Sequence, residues 1–413
     1  MSFSKTNFFR DLFFFSLLAG TCSAQVQLTL EGAVQQALST NPQLDVAQGR
    51  IENAKGVRVQ AGLGPNPRLA LQSEDMRAWQ EQPRSFANDT ENYAYIGQTF
   101  EVAGKRARRV DVASAGVHRA EYERELLKRQ LRARVSAAYW NAAGAARTRD
   151  LLRENLRTYE EDVNYSSNRV QQGVMAETDL MRVQLERDRV RMQLMTAERD
   201  AEQAIVELYR AMGKSEFPPT TLTDSLASPR AVVLPDLARV LEVRPEMQIA
   251  REAVTEAESN IRLQHADAKP DPEAFLGYKR NLGLDTVYAA VQVDLPFRNR
   301  NQGNIAAAQA QLHIAQANLR TTEAGVKADL ASAERAYQDE RKLLQTLPET
   351  QARAEEAERL ARAAFREGGI PLLRLLDAER YRIDLETQYS RALVDLQQSI
   401  VNLEYAGSEE AGK

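Results

Sequence analysis

Three histidines are the side chains of this sequence best suited to proton transfer or metal binding, and they stand far apart. His118, His265 and His313 each lie alone in a helical stretch, whereas a metal site or a catalytic centre needs several such groups to converge. Acidic pairs such as Glu355 and Glu356 are frequent, but on long helices they are typical of solvated faces and of ion pairs with arginine. The sequence therefore predicts no metal site and no cofactor.

Common sequence motifs of enzymes are missing as well. The sequence contains no phosphate-binding loop, no nucleophile elbow and no zinc-protease helix motif. With 54 Lys and Arg against 58 Asp and Glu, its formal net charge is −4. A mildly acidic, evenly mixed chain does not favour nucleic-acid binding. Composition and motifs together argue against an enzyme and against a nucleic-acid partner.

Two glycine-containing segments hold the most informative signals. Residues 170–180 and 365–377 each interrupt a long helical stretch, with Gly173 in the first and Gly368 and Gly369 in the second. Glycine after a helix is typical of a C-cap, because its backbone adopts left-handed dihedral angles at little cost. We predict two helical hairpins whose turns, here called the tips, form the mouth of a tube and a docking surface.

The two tips belong to an internal repeat with a shift of 195 residues. The shift holds through the helix before each tip and the helix after it. Because repeats must be found before domains are counted, we interpret the chain as one elongated body rather than two or three globular domains. The matched pairs are Lys105 with Arg300, Ala115 with Ala310, Ala120 with Ala315, Leu131 with Val326, Gly173 with Gly368, Leu180 with Leu375, Arg187 with Arg382, and Val190 with Leu385.

A long helix precedes each tip. Residues 105 to about 169 and 300 to about 366 contain no strong break, so at 1.5 Å per residue each helix is roughly 95 Å long. In the second helix, small and apolar residues recur at alternating steps of three and four, which is the seam of a left-handed coiled coil. Half of these positions are Ala or Thr, so partner helices can approach closely. The seam residues are Ile305, Ala308, Leu312, Ala315, Leu319, Thr322, Val326 and Ala333.

Shorter helices, stacked end to end, are predicted to flank each long one. Between the two halves lies a segment rich in Pro, Ser and Thr, which we expect to wrap the outside of the molecule at its middle. The predicted divisions are a signal peptide at 1–24, a first repeat at 25–213, an equatorial linker at 214–235, a second repeat at 236–405, and a C-terminal tail at 406–413.

The N-terminal residues have the layout of a secretory signal peptide. Lys5 and Arg10 precede an apolar run, and the predicted cleavage falls between Ala24 and Gln25. An alternative is lipidation of Cys22, although the residue before it is not the Gly, Ala or Ser that lipidation favours. Cys22 is the only cysteine, so cleavage after Ala24 leaves a mature chain without a disulfide.

Strand composition follows each of two proline-marked breaks. Four segments rich in β-branched and aromatic residues predict two hairpins, the first with a loop that contains Trp79 and Pro83. Four strands leave open sheet edges, so several chains are needed to close a barrel. A closed barrel also lets strands cross a bilayer with every backbone group bonded. The segments are 68–72, 93–100, 274–278 and 287–295.

These features together resemble the TolC-type outer membrane efflux proteins. The resemblance covers nearly the whole mature chain and rests on the helix start at Asn41 and Pro42, on residues 98–106 and 293–303, and on the two tips. It implies a mainly α fold with a small β part, in which each chain contributes long antiparallel coiled-coil hairpins and four strands. In the implied homotrimer, a 12-stranded β-barrel in the outer membrane continues into an α-helical barrel in the periplasm.

The resemblance also implies a function and partners. It implies an exit duct that passively conducts substrate from an inner membrane pump of the RND type, through a periplasmic adaptor protein, to the exterior. The residues implied at the adaptor-docking tips are Gly173, Val174, Gly368 and Gly369, and those implied at the aperture are Asp179 and Asp377.

Within this family, residues 102–106 and the predicted absence of a lipid-bearing cysteine look most like the CzcC-type members that serve heavy-metal pumps. An exit duct for drugs or for a secreted protein remains an alternative. So does a periplasmic coiled-coil scaffold with no pore and no membrane strands. Membrane fractionation distinguishes the scaffold from the duct.

Overall fold

The computed structural model describes residues 26–76, 85, 88–230, 232–281 and 283–407. The predicted cleavage after Ala24, the alternative at Cys22, and the hairpin loop with Trp79 and Pro83 lie outside the described residues. Among the helices that are described, none is both long enough and apolar enough to cross a membrane.

The described chain is mainly helical and repeats one order of elements, as the sequence predicted. The first half comprises β1 (Val26–Leu28), α1 (Leu30–Thr40), α2 (Pro42–Ala61), β2 (Arg68–Glu74), β3 (Glu91–Thr99), α3 (Lys105–Gln171) and α4 (Glu177–Ala211). The second half comprises β4 (Thr220–Leu222), α5 (Leu237–Val243), α6 (Pro245–Asp267), β5 (Glu273–Asn281), β6 (Leu284–Gln292), α7 (Gln302–Arg366) and α8 (Leu372–Gly407).

The start of α2 follows from its first two residues. The Asn41 side chain accepts a hydrogen bond of 2.9 Å from the backbone N–H of Gln43, which satisfies a donor that a helix start leaves without a partner. Pro42 occupies the first helical position, where its missing N–H costs nothing. In the second half Pro245 begins α6 in the same way.

The long helices α3 and α7 contain 67 and 65 residues, so each is about 100 Å long. In α7, every predicted seam residue is buried or half-buried, whereas positions 306, 307, 309 and 310 between the seam residues are exposed. This burial confirms the register of the predicted coiled coil. The helix begins at Gln302, two residues later than the repeat predicted, because Asn301 has a left-handed backbone with φ of 61°.

The four predicted strands form one antiparallel sheet in the order β2-β3-β5-β6. The two hairpins join along β3 and β5, where Ile96 pairs with Leu276. The ends of the strands differ from the predicted ranges by at most three residues, since alternation does not mark where strand pairing stops. The strands β2 and β6 are the outer strands of the sheet and present open edges.

A second, two-stranded sheet was not predicted from the sequence. Here β1 pairs in parallel with β4, which lies inside the predicted equatorial linker. Asp224 fixes this linker, because its carboxylate accepts hydrogen bonds from the Leu30 N–H at 2.7 Å and from the Tyr139 hydroxyl at 2.6 Å. Tyr139 lies near the middle of α3 and is fully buried. Three-residue strands show no usable alternation, so only the tertiary structure reveals this pairing.

The close approach of helices at the α7 seam leads to a stability prediction. Ala315 is buried, so Ala315→Leu is expected to overpack the seam and to lower the free energy of unfolding by about 1 to 3 kcal/mol. Ala306→Leu is the matched control, because Ala306 is exposed and so is its repeat equivalent Asp111; its effect should stay within about 0.5 kcal/mol. Equal thermal melts for the two variants would mean that the seam does not pack as described.

Candidate functional site

Both tips use a left-handed glycine to end the long helix. The φ angles are 74° at Gly173 and 79° at Gly368, a region that glycine occupies at no steric cost. At the first tip, the Gly173 and Val174 N–H groups donate to the carbonyls of Val170 and Arg169 at 2.9 and 3.0 Å. This pair of bonds satisfies carbonyls that the helix end leaves open.

The second tip repeats these bonds. The Gly368 and Gly369 N–H groups donate to the carbonyls of Phe365 and Ala364 at 3.0 and 2.8 Å, and every donor and acceptor is displaced by 195 residues from its counterpart. The start of the next helix is repeated as well, because Asp179 donates its N–H to the Ala176 carbonyl at 3.0 Å, and the equivalent bond in the second tip is also 3.0 Å. The two tips therefore have the same backbone geometry.

The tips lie together at one end of the molecule. A buried apolar cluster joins the last turns of the long helices to the first turns of the returning helices, and the rings of Tyr165 and Phe365 meet edge to face at 6.3 Å. Since α3 starts directly after β3 and has 67 residues, this end lies about 100 Å from the sheet. The core residues of the cluster are Leu152, Tyr159, Val183, Val190, Leu194, Ala197, Leu372, Leu376 and Ile383.

The residues predicted for docking are available at this end. Gly173, Val174, Gly368 and Gly369 are all exposed, and a Cβ added at Gly173 or Gly368 would meet no atom within 4 Å. The glycines are therefore required by the backbone angle and not by crowding. An apolar and exposed Val174 adds a contact surface. These observations support the docking role, which stays a prediction.

The two carboxylates predicted at the aperture differ in exposure and in ion pairing. Asp377 is exposed near the start of α8, while Asp179 is half-buried and lies 3.9 Å from Arg182. The repeat places Arg182 opposite Asp377 and Arg374 opposite Asp179. The sign of the charge is thus reversed between the tips at both positions, so Asp179 and Asp377 do not occupy equivalent places in the repeat.

A buried charge cluster just above the tips was missed from the sequence. The Arg362 guanidinium of α7 donates to Asp162 of α3 at 2.7 Å, to Glu358 at 2.7 Å and to Glu379 of α8 at 2.6 Å. One cation therefore faces three carboxylates and ties three helices together. One residue in the sequence could have indicated this cluster. Glu379 is an acidic residue on the inward face of α8, between the buried residues Leu376 and Ile383.

Burial and the neighbouring Asp162 carboxylate raise the pKa of Glu379 to about 8. The Glu379 carboxyl therefore keeps its proton at neutral pH, and a hydrogen bond to Asp162 holds it. This proton also balances the cluster, because Arg362 alone cannot neutralise three carboxylates.

The raised pKa of Glu379 predicts a stability that depends on pH. The folded chain holds this proton up to pH of about 8, whereas the unfolded chain releases it near the ordinary value of 4.5. The stabilisation is therefore complete below about pH 4.5 and is lost as the pH rises through 8. We expect the melting temperature to fall between pH 6 and pH 9, and Glu379→Gln to flatten that fall. Glu349→Gln is the control, since Glu349 is exposed; a profile unchanged by Glu379→Gln would contradict the assignment.

A second set of polar contacts joins the two hairpins. Arg380 of α8 forms an ion pair with Glu186 of α4, and Arg189 lies 3.1 Å from the same carboxylate. Arg382 of α8 donates to the Asn155 side chain of α3 at 2.7 Å. Arg380 and Arg382 of the second repeat thus both reach the first repeat, so the hairpins are fixed to each other near the tips.

The described residues contain no group of His, Cys, Asp and Glu that could hold a metal ion. The three histidines are exposed on α3, α6 and α7, and His118 lies 3.6 Å from the Glu252 carboxylate. The structure does not bring them together.

Comparison with known proteins gives a family match across most of the chain. Residues 33–214 and 237–406 match the family described as "Outer membrane efflux protein". The chain is 25% identical over 383 residues to the cobalt-zinc-cadmium resistance protein CzcC of Cupriavidus metallidurans, covering 91% of this chain and 89% of that protein. It is 24% identical over 303 residues to the nickel-cobalt-cadmium resistance protein NccC of Alcaligenes xylosoxydans xylosoxydans, covering 73% and 68%.

Solved structures share the fold. The outer membrane channel MtrE of Neisseria gonorrhoeae, in its open state, gives a TM-score of 0.77 at 20% identity, covering 91% of this chain and 88% of that chain. The outer membrane protein VceC of Vibrio cholerae gives 0.73 at 19% identity, with coverage of 91% and 95%. CusC gives 0.78 at 17% identity, with coverage of 91% and 91%.

Proposed function

This chain belongs to the outer membrane efflux protein family, and from that premise we propose that it is the exit duct through which a tripartite pump exports heavy-metal cations. It is an outer membrane channel with most of its chain in the periplasm. Beyond the family and the channel, we propose a substrate class, a homotrimeric assembly, and partner proteins that bind at the tips.

The observation that carries the membrane part of the proposal is an exposed apolar face on the sheet. Strand register places Leu69, Ile96, Leu276 and Ala289 in one row across all four strands. A parallel row contains Leu71, Ala94, Tyr278 and Val287. The Leu, Ile, Tyr and Val side chains of these rows are exposed, which water disfavours and the hydrocarbon of a bilayer favours.

The open sheet edges support a homotrimer. The outer strands β2 and β6 carry backbone groups that need partners in a membrane. A neighbouring chain supplies them if β6 of one copy pairs with β2 of the next. Three copies would then close a twelve-stranded barrel, whereas four strands are too few.

The substrate class rests on the relatives. The similar proteins CzcC and NccC are named for resistance to cobalt, zinc, cadmium and nickel, and we propose divalent cations of this kind for this chain. A duct that conducts passively needs no resident metal site, because selection belongs to the pump. A periplasmic adaptor would dock at the exposed tips and connect the duct to an inner membrane pump of the RND type.

Deletion of the gene in its host tests the proposed substrate. The deletion strain should become sensitive to divalent cobalt, zinc, cadmium or nickel and should accumulate the metal, and plasmid-borne wild-type protein should reverse both effects. Sensitivity to drugs alone, or loss of a secreted protein from the medium, would replace the metal assignment by one of the alternatives. Purified protein that gives no conductance in a planar bilayer would indicate the scaffold without a pore.

We also expect Asp377 to control the aperture. Three exposed carboxylates, one per copy, would form a ring that attracts divalent cations and repels closure. Asp377→Ala should therefore change single-channel conductance and weaken its block by divalent cations several-fold. Asp384→Ala is the control, because Asp384 is exposed on the same helix about two turns further from the tip. Identical block in wild type and Asp377→Ala would remove Asp377 from the aperture.

A further inference from the structure

A cavity of about 610 Å³ lies beside α3, where the last turns of α8 meet the start of α6. Its walls come from both repeats, because α1 and α3 belong to the first repeat and the other wall helices to the second. Lys105 begins α3, and Arg129 in the cavity wall lies about 36 Å further along that helix. The cavity is therefore well separated from the sheet and from the lipid that would surround it.

Four basic side chains of α3 line this cavity. Three of them are spaced four residues apart, so they lie above one another on one face of the helix, a spacing at which like charges destabilise a helix. Two acidic residues, Glu125 and Glu404, also line the cavity. Four cations thus face two carboxylates, and the excess of positive charge favours an anion. The basic residues are Arg124, Lys128, Arg129 and Arg132.

Several guanidinium donors at this joint lack an acceptor. In the described part of the chain, Arg124 Nε and Arg129 Nη1 are buried and have no hydrogen-bond partner. The same holds for Nη1 of Arg244, which directly precedes α6 and is only 2% exposed. Buried polar groups are almost always hydrogen-bonded, so three such donors at one joint indicate a missing anionic acceptor.

The nearest buried carboxylate does not fill this role. Glu246 accepts hydrogen bonds from the Arg244 side chain at 2.9 and 3.2 Å, whereas Arg129 Nη1 is 3.7 Å from the same carboxylate. Burial, with a contribution from the neighbouring Arg244, lowers the pKa of Arg129 although Glu246 opposes this shift. The charge of Arg129 is therefore incompletely compensated inside the chain.

The internal repeat shows that the long helix does not need these cations. The shift of 195 residues takes Arg124, Lys128 and Arg129 to Leu319, Glu323 and Ala324 of α7. Arg132 alone keeps its charge, as Lys327, and this lysine forms an ion pair of 2.6 Å with Glu323. Since α7 is an equally regular helix without the basic cluster, the cluster on α3 has a role other than building the fold.

We propose that this cavity is a binding site for an acidic peptide. Arginine binds carboxylates through two parallel hydrogen bonds, and Arg124 and Arg132 lie about 12 Å apart along α3, which an extended peptide spans with about four residues. The remaining wall is apolar and would contact the backbone and methylene groups of a peptide, a contact that inorganic phosphate lacks. The apolar wall residues are Leu38, Ala133, Val243, Pro245 and Val401.

A ligand in this cavity would hold the second repeat on the first. It would bridge α3 to the start of α6 and the end of α8, and so stabilise the folded chain against unfolding. The site takes an anion and not a metal cation, so it is separate from the proposed transport, and the inference does not depend on the proposed substrate.

Calorimetric titration of the detergent-extracted channel tests the site, with triglutamate as the acidic peptide and pyrophosphate as the inorganic comparison. Triglutamate should bind, should raise the melting temperature, and should bind more weakly as salt is added. Pyrophosphate should bind less tightly. Lys128→Gln combined with Arg132→Gln should weaken triglutamate binding by at least about tenfold, because it removes two charged hydrogen-bond donors. Arg157→Gln is the matched control, since Arg157 is an exposed residue elsewhere on α3.

Glu404→Gln provides a test with the opposite sign. Its carboxylate faces the same cavity and repels an anionic ligand, so this variant should bind triglutamate more tightly. The titration is made at pH 8, because burial raises the pKa of the Glu404 carboxyl. Four results would each overturn the inference: no saturable binding of triglutamate, pyrophosphate binding at least as tight, equal affinity in wild type and the double variant, or weaker binding in Glu404→Gln. All four would leave the proposed efflux function intact.

Discussion

Replacing Gly368 with valine is expected to abolish efflux while the assembled channel persists. Gly368 has a φ of 79°, and a left-handed backbone costs an ordinary L-residue about 1 to 2 kcal/mol, with β-branched residues worse still. The second tip must therefore refold locally or lose its turn. Because the tip lies about 100 Å from the sheet, the proposed barrel and its strand pairing between copies should be unaffected.

Gly368→Asn is the matched control for this prediction. Asparagine tolerates left-handed angles, and a Cβ at position 368 meets no neighbouring atom, so efflux should be largely retained. The measurements are metal resistance in cells, adaptor pull-down, and the mass of the detergent-extracted channel. Metal resistance equal to wild type in Gly368→Val would mean that the adaptor docks elsewhere, and loss of the trimer would mean that the turn serves assembly.

The second large effect is expected for Arg362→Met. This change removes the only guanidinium that contacts Asp162, Glu358 and Glu379 within the cluster. Breaking a buried ion pair by removing one partner costs about 3 to 5 kcal/mol, because the remaining charge is left uncompensated. The carboxylates can relieve part of the loss by binding protons, so the destabilisation should grow as the pH rises from 6 to 8.

Thermal melts at the two pH values measure this effect. The control is Arg359→Met, one turn away, because Arg359 is 65% exposed and its ion pair with Glu356 lies at the surface, where such pairs contribute about 0 to 1 kcal/mol. Adding Glu379→Gln to Arg362→Met should recover part of the stability by removing one buried carboxyl. Equal melting temperatures for Arg362→Met and Arg359→Met would show that the cluster does not hold the hairpins together.

Sequence by itself determined the features that depend on residues close together in the chain. The glycines that end the long helices, the Asn41 cap and the spacing of the α7 seam each reflect local backbone preference or helical periodicity, which a single chain segment carries. The shift of 195 residues follows from comparing two such segments with each other. These signals were sufficient for the mainly α fold, the repeated order of elements, and the resemblance to outer membrane efflux proteins.

Only the tertiary structure decided which distant segments meet. Periodicity shows that a strand or a helix has an apolar face, but it does not name the partner of that face. The joining of β3 to β5, the parallel pairing of β1 with β4, and the meeting of Arg362 with Asp162 are all contacts between residues far apart in sequence. A buried charge is stable only when its partners arrive from other helices, so the charge cluster above the tips became visible only once α3, α7 and α8 were packed together.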